Sequence, residues 1–301
     1  MSSYRFCRSD DIGLLVDALN RCWAPYVPDE PPMTPEAFKR SIRDLQVWCS
    51  SCMVAFSGSD PIGVLIGAKR PSGTLIHKIA VHPDHRRQGH GRHLLTSLSS
   101  KLSILGPPRM IAEVPDTLVP ASELFSASGY VQEALLTDYV LNDGGPNFGL
   151  HGGGPNFGSA APKDEGADAG RFVIPVTVDD LAANGLLEEA NPRVCWERSV
   201  ETLTARKDDI AGFAVASDER IEAYVLFGPR APTTEIVSLR SFIEDGGARL
   251  RQLFTRLSTQ GMSAFRFPKV HPAEFSKELL ETLGFRGAGE YRLFAASARS
   301  D

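Results

Sequence analysis

The chain has 301 residues, of which 42% are apolar, and a formal net charge of −5 at pH 7. This length gives room for two ordinary domains with hydrophobic cores. The acidic balance gives no general footprint for nucleic acid, and no apolar run approaches the length of a membrane span. The first residues, MSSYRFCRSDD, have charges where a signal peptide needs an apolar core. We therefore expect a cytoplasmic protein that binds neither nucleic acid nor a membrane.

The first elements are predicted to be a strand and two helices. We predict a strand over residues 4–8, followed by a helix that Asp10 and Asp11 cap and that has its apolar residues on one side. The segment 23–32 contains too many prolines for a regular element. A threonine and a proline at 34–35 are typical of the N-cap and first position of a second helix.

Two strands joined by a hairpin turn come next, at residues 53–57 and 62–69. Cys49 and Cys52 form a C-x-x-C just before the first of these strands, whereas a redox site of this kind needs a loop that enters a helix. We interpret them as two half-buried thiols, since a cytoplasmic protein of this size does not need disulfides.

The chain is organised around residues 74–98, TLIHKIAVHPDHRRQGHGRHLLTSL. The first part alternates as a strand does. One side of that strand has Leu75, His77, Ile79 and Val81, and the other side has Ile76, Lys78 and Ala80. Proline at 83 ends the strand because it has no amide proton for a ladder, and beyond residue 91 leucines recur at helical spacing. A strand thus leads through a short basic loop into a helix.

The loop has the features of an anion site. Gly89 and Gly91 let the backbone come close to a ligand, and the free amides of the helix's first turn favour a negative charge. Arg86, Arg87 and Arg92 add fixed positive charge. This pattern predicts a pyrophosphate cradle, although it lacks the third glycine of the dinucleotide fingerprint and the Gly-Lys-Ser/Thr of a P-loop.

After the helix we predict a strand at 110–114, a helix at 120–128 and one or two strands over 130–141.

The order Val-His-Pro, then Arg-x-x-Gly-x-Gly, then an apolar helix resembles the acetyl-CoA motif of the GNAT N-acetyltransferase superfamily. The elements of residues 4–141 also resemble, in their order, those of a complete GNAT domain. The resemblance implies that loop amides hold the pyrophosphate of acetyl-CoA and that the preceding strand pairs with its pantetheine arm. The residues assigned to the coenzyme in this way are Ile79, Ala80, Val81, Arg86, Arg87, Gln88, Gly89, His90, Gly91 and Arg92. The alternative is a basic strand–turn–helix with no ligand.

Residues 143–170 interrupt this order. The segment is rich in glycine, contains Gly-Gly-Pro-Asn-Phe-Gly twice and has few apolar residues, which predicts a flexible linker. A weaker copy of the first pattern follows it. We therefore predict an α/β fold of two tandem GNAT-like domains, 1–142 and 171–301, each a mixed, mostly antiparallel sheet flanked by helices.

The second copy keeps the element order but loses the loop chemistry. Its predicted helices lie at 178–190, 248–257 and 274–283, and its strands at 211–216, 221–227, 235–242, 264–268 and 291–295. Residues 246–248 keep a Gly-x-Ala spacing, but Ile243 replaces the arginine, and Glu244 and Asp245 would repel a phosphate. We expect this domain to bind no coenzyme A and to act as a scaffold or as part of the acceptor site.

The reaction that the resemblance implies needs a base, since an alkylamine is mostly protonated at pH 7. His77 is our candidate because it shares the strand face of Ile79 and Val81 and titrates near neutrality; arylalkylamine acetyltransferases, also GNAT proteins, have a histidine at the matching position. The alternative is a packed or surface histidine. GNAT enzymes often protonate the leaving thiolate with a tyrosine, and here Phe125 occupies that position.

Together these features predict an acetyl-CoA-dependent N-acetyltransferase that transfers the acetyl group directly to a small-molecule or peptide amine. Trp23 and Tyr26 would face the acceptor, although a role as exposed loop residues held by prolines accounts for their positions equally well. The alternative function is a non-catalytic acyl-CoA sensor or an interaction scaffold.

We expect no metal site, despite five histidines between positions 77 and 93, because the loop already has a ligand to hold. The identity of the acceptor and the formation of a homodimer stay open.

Overall fold

The computed structural model describes residues 2–142, 171–187, 194–230 and 233–298. The chain forms two compact units. Unit 1 comprises Met1–Leu136 and Gly289–Asp301, and unit 2 comprises Thr137–Ala288. The predicted linker at 143–170 lies outside the described residues. No helix within the described ranges is long and apolar enough to cross a membrane.

Unit 1 is a mixed sheet with helices packed against it. Its elements up to residue 127 are β1 (Ser2–Phe6), α1 (Ile12–Cys22), α2 (Pro35–Leu45), β2 (Met53–Ser57), β3 (Asp60–Arg70), β4 (Gly73–Val81), α3 (His90–Leu105), β5 (Arg109–Pro115) and α4 (Val119–Ala127). A strand near the end of the chain, β12 (Arg286–Ser297), completes the sheet in the order β1-β2-β3-β4-β5-β12. Only β4 and β5 pair in parallel among these neighbours.

The core of unit 1 lies between α3, α4 and one face of the sheet. Leu94, Leu95, Leu98 and Leu102 are all buried there, which confirms the predicted helical spacing. Fully burying a leucine stabilises the fold by about 1.5–3 kcal/mol, so this row fixes α3 firmly on the sheet.

The two predicted helix starts in unit 1 differ in outcome. The Ala37 amide donates to Thr34 Oγ1 at 3.1 Å, which confirms the cap of α2. Asp11 stands at the N-cap position of α1 but makes no capping hydrogen bond. Its carboxylate instead accepts two bonds from the Arg5 guanidinium, at 2.7 and 2.8 Å, and one from the Arg8 amide. These hydrogen bonds, chiefly the one with Arg5, lower the pKa of Asp11 to about 2.

Unit 2 repeats the plan of unit 1. Its elements after residue 170 are β7 (Arg171–Pro175), α5 (Val178–Ala183), α6 (Val200–Ala205), β8 (Ala211–Ser217), β9 (Ile221–Arg230), β10 (Thr233–Ser241), α7 (Ala248–Thr259), β11 (Phe265–Val270) and α8 (Lys277–Thr282). The sequence analysis missed β7 and α6. The helix predicted at 178–190 already ends at Ala183, where Asn184 and the left-handed Gly185 follow.

Each half of the sequence ends in a strand whose carboxyl-terminal part belongs to the other unit. The Thr137–Leu141 part of β6 (Val131–Leu141) lies in unit 2 and pairs with β11, and the Gly289–Ser297 part of β12 lies in unit 1, where β12 pairs with β5. The sheet of unit 2 therefore has the order β6-β11-β10-β9-β8-β7. The predicted α/β fold of mixed, mostly antiparallel strands flanked by helices is confirmed. The predicted consecutive domains 1–142 and 171–301 differ from the units that the structure forms, because alternation predicts a strand but not its neighbour.

Candidate active site

The parallel strands β4 and β5 separate soon after they meet. Their register consists of Thr74 opposite Met110 and Leu75 opposite Ile111. Beyond this point the pairing ends, although each strand continues to Val81 or Pro115. The carboxyl-terminal part of β4 therefore has one open edge.

The main chain of β4 determines which residues face that edge. The His82 amide donates to the Ile62 oxygen of β3 at 2.9 Å. Since the bonding direction alternates in an antiparallel pair, the N–H and C=O groups of Ile79 and Val81 point away from β3, as pairing with a pantetheine arm requires. The same alternation turns the main chain of Ala80 towards β3, and its assignment to the coenzyme stays a prediction.

His77 is the extra residue of a β-bulge. The register of β4 with β3 runs down to Lys78 and resumes at Ile76, which leaves His77 without an opposite residue. The predicted alternation is therefore wrong here. Ile76 and Ile79 both pack on the core of unit 1, although we predicted them on opposite faces. The face of His77 no longer follows from that of Ile79, and its role as base stays a prediction that rests on its place where β4 and β5 separate.

The loop before α3 leaves the first turn of the helix open. Arg87 has φ +59° and Gly89 has φ +85°, so two left-handed residues turn the chain into α3. No side chain among the described residues caps this helix. The amides of His90, Gly91 and Arg92 consequently lack an intrahelical acceptor, and the helix dipole favours an anion beside them.

The two glycines of the loop serve different purposes. Gly89 needs its left-handed backbone, and a Cβ built there would meet nothing within 4 Å. Gly91 lies inside α3, which begins at His90 rather than after Gly91 as predicted. A Cβ at Gly91 would lie 3.0 Å from the side chain of Leu124 in α4. The small size of Gly91 thus accommodates α4, and its predicted role of admitting a ligand stays a prediction.

The positive charges of the loop are exposed. Arg86, Arg87 and Gln88 lie on the surface, as does Arg92 in the first turn of α3. Arg87 forms an exposed ion pair with Glu123 at 3.4 Å, whereas the guanidinium of Arg86 lies over an aromatic ring, described below. The structure thus brings these predicted residues together around the open helix end.

The side chain of His90 turns into the protein. Its Nδ1 lies 2.6 Å from the Tyr4 hydroxyl, and its buried Nε2 has no hydrogen-bond partner among the described residues. The Tyr4 ring also packs on His93, with centroids 3.8 Å apart. Burial is the main cause that lowers the pKa of His90, and the nearby His85 and His93 contribute less. Only the amide of His90 is therefore available to the anion site. The sequence analysis missed the contribution of Tyr4.

Both predicted acceptor residues are engaged within unit 1. The Trp23 indole donates to Glu30 at 3.1 Å, and the Lys78 ammonium lies 4.3 Å from the Trp23 ring centre. Lys78 also binds Glu30 at 3.1 Å. The Tyr26 hydroxyl donates to the Val81 oxygen at 2.6 Å. Tyr26 thus contacts the strand assigned to the coenzyme.

The position of the expected proton donor is filled by core residues. Phe125 is 2% exposed, stacks on Phe294 with centroids 5.8 Å apart and meets Tyr130 edge-on. Burial raises the pKa of Tyr130, whose hydroxyl donates to the Met110 sulfur. A phenylalanine has no proton to give, and Tyr130 is held in the core.

No metal-binding group of three histidine, cysteine or acidic side chains occurs in the described part of the chain. His82 and His85 are neighbours, with ring centroids 6.0 Å apart. The C-x-x-C of Cys49 and Cys52 lies in a short turn before β2, where burial raises the pKa of both thiols. Cys49 is half-buried, as we interpreted both thiols to be, whereas Cys52 is fully buried.

In unit 2 the corresponding helix end is filled by the protein itself. The Asp245 carboxylate accepts hydrogen bonds from the Gly247 and Arg249 amides, both at 2.9 Å. Helix α7 begins at Ala248 after the left-handed Gly247, just as α3 begins at His90 after Gly89. Ala248 therefore matches His90, which corrects the predicted alignment with Gly91. A carboxylate on these amides excludes a second anion by charge and by position.

Comparison with known proteins agrees with this geometry. The model of the Acetyltransferase (GNAT) family matches residues 15–130. The fold is similar to a GCN5-related N-acetyltransferase from Sphaerobacter thermophilus, with TM-score 0.66 and 15% identity over 99% of this chain and 96% of that one. It is also similar to a tandem GNAT protein from the clavulanic acid biosynthesis pathway, with TM-score 0.63 and 16% identity over 100% of both chains. No curated protein matches the sequence significantly.

The family match and the fold agree on the class of GNAT acetyltransferase domains. Residues 15–130 are a GNAT domain, and the chain as a whole has the fold of a tandem GNAT protein. The recognition made from the Arg-x-x-Gly-x-Gly motif is thereby confirmed.

Proposed function

We propose that the protein is an acetyl-CoA-dependent N-acetyltransferase whose coenzyme site lies in unit 1. The observation that supports this most strongly is the uncapped amino terminus of α3 beside the open edge of β4. The first provides amides and arginines for a diphosphate. The second provides main-chain groups of Ile79 and Val81 that point away from β3 and can pair with an amide-containing arm.

The proposed reaction is direct transfer to a bound amine. The neutral amine nitrogen attacks the thioester carbonyl, the carbon–sulfur bond breaks and coenzyme A leaves as its thiolate. His77, where β4 and β5 separate, is proposed to remove the amine proton, either directly or through water. Phe125 cannot protonate the thiolate, so in this proposal the thiolate leaves to solvent without a tyrosine donor.

The acceptor is proposed to be a small-molecule or peptide amine. A set of primary amines, amino acids and short peptides incubated with acetyl-CoA tests the activity, with release of free thiol as the signal. Acetylated product for at least one acceptor, identified by mass, is expected. Absence of turnover across all these classes by a protein that binds coenzyme A would contradict the enzymatic proposal.

The second candidate function is a non-catalytic acyl-CoA-binding module. The buried Phe125 favours it, because the usual proton donor is missing. Tight binding of coenzyme A without turnover would support this candidate and reject the first.

We also propose a cytoplasmic location. All five cysteines are free thiols, which suits a reducing compartment.

A further inference from the structure

We propose that Tyr26 is a positioning residue that holds Arg86 ready for the coenzyme's diphosphate. The side chain of Tyr26 bridges the open edge of β4 and the loop before α3. This inference rests on the proposed function, and it assigns Tyr26 to the coenzyme rather than to the acceptor.

The first end of the bridge is the hydroxyl of Tyr26. It donates to the Val81 oxygen at 2.6 Å, and the side chain is half-buried. Tyr26 ends a short 3-10 turn, Ala24–Tyr26, in which the Tyr26 and Val27 amides donate to the Trp23 and Ala24 oxygens. The same segment is also attached to β4 through Lys78, which contacts both the Trp23 ring and the Glu30 carboxylate. The tyrosine ring therefore has a fixed place beside the end of β4.

The second end of the bridge is the ring itself. The Arg86 guanidinium carbon lies 5.2 Å from its centre, within the range of a cation–π contact. Arg86 is exposed, and no carboxylate forms an ion pair with it among the described residues, whereas Arg87 is paired with Glu123. A free arginine side chain loses much rotamer freedom when it binds an anion. Stacking on a fixed ring removes part of that loss beforehand and leaves the planar donors available to phosphate oxygens.

The bridge is compatible with a bound pantetheine arm. A carbonyl oxygen has two lone pairs, so the Val81 oxygen can accept from Tyr26 and from a ligand amide. The predicted effect of Tyr26 is therefore on affinity through Arg86, without competition for the strand edge.

A double-mutant cycle with coenzyme A as the ligand tests the proposal. Calorimetry gives the dissociation constants of wild type, Tyr26→Leu, Arg86→Gln and the double variant. We expect Tyr26→Leu to weaken binding about three- to tenfold in the wild-type background. In the Arg86→Gln background the same change should weaken binding less than about twofold, because the residue it positions is gone.

Arg87→Gln supplies the matched control, since Arg87 pairs with Glu123 and does not contact Tyr26. Tyr26→Leu should weaken binding there as much as in wild type. Tyr26→Phe, which keeps the ring under Arg86, should retain most of the affinity, and thermal unfolding verifies that each variant is folded.

The inference is overturned if Tyr26→Leu leaves the affinity unchanged, or weakens it equally in the Arg86→Gln and Arg87→Gln backgrounds. In either case the proposed function is unaffected as long as the wild-type protein binds coenzyme A. A wild-type protein that does not bind it overturns both.

Discussion

At the scale of single residues, the two units differ in what faces the helix that follows their central strands. In unit 1 the amides at the start of α3 are open, and Arg86 and Arg87 lie beside them. In unit 2 Asp245 accepts two amides at the start of α7 and fills the equivalent place. A change of a few side chains therefore separates an open helix end from a closed one, while the backbone stays similar.

Replacing His77 by alanine tests the proposed base. We expect turnover to fall by about 10²- to 10⁴-fold, with a change in coenzyme A affinity of less than about twofold, since the loop amides are untouched. Steady-state rates and calorimetry on the same preparation measure both. A large loss of affinity with little loss of turnover would remove His77 from the mechanism.

The buried His90 predicts a pH dependence of stability. Because burial lowers its pKa in the folded state, the unfolded chain binds the proton first as the pH falls. The stability contributed by neutral His90 is thus fully present above the unfolded pKa of about 6.5 and decreases below it. The variant His90→Gln, which does not titrate, should lose less free energy of unfolding between pH 7 and pH 5 than wild type. Denaturant unfolding at several pH values measures this, and equal losses would contradict it.

At the scale of elements, the junction of β4, loop and α3 shows what the sequence can predict. Leucine spacing identified α3, and the motif identified the loop, because both depend on neighbours in the chain. The bulge at His77 was not predicted, because one extra residue shifts an alternating pattern without any change in the residue types that form it. The engagement of Tyr26 with Val81, and of Tyr4 with His90, also escaped it, because these contacts join residues far apart in sequence.

Alanine at either glycine of this junction should lower the stability of the fold, but for a different physical reason in each case. Gly89→Ala places a side chain on a left-handed backbone, which costs roughly 1–2 kcal/mol, although the site has space. Gly91→Ala keeps a favourable helical backbone but pushes against Leu124. Leu124 packs against the core, so Leu124→Ala itself costs stability, but we expect it to cost less in the Gly91→Ala background than in wild type, and the same in the Gly89→Ala background as in wild type. Chemical denaturation of the single and double variants measures this coupling, and equal coupling of Leu124→Ala to both glycine variants would contradict this account.

At the scale of the whole molecule, the exchange of β6 and β12 makes each sequence half dependent on the other. The Tyr291–Ser297 part of β12 lies opposite Arg109–Pro115 of β5, and Phe294 is buried against Phe125. The sequence predicted both strands but assigned each to its own half, because pairing partners depend on the assembled sheet and not on local pattern.

This exchange predicts that the fragment 1–170 does not reach the native fold, although it contains the whole predicted first domain. Without β12, the edge of β5 and the face of Phe125 are left uncovered. We expect the fragment to lack a cooperative thermal transition in circular dichroism, in contrast to the full chain. A fragment that unfolds cooperatively and binds coenzyme A would show that β12 is dispensable.

The account depends most on the anion site at the amino terminus of α3 and on the closure of its counterpart in unit 2. Calorimetric titration of the full chain with coenzyme A tests both statements at once. We predict saturable binding with one site per chain. Two sites per chain would contradict the closure by Asp245, and the absence of binding at millimolar coenzyme A would contradict the site itself.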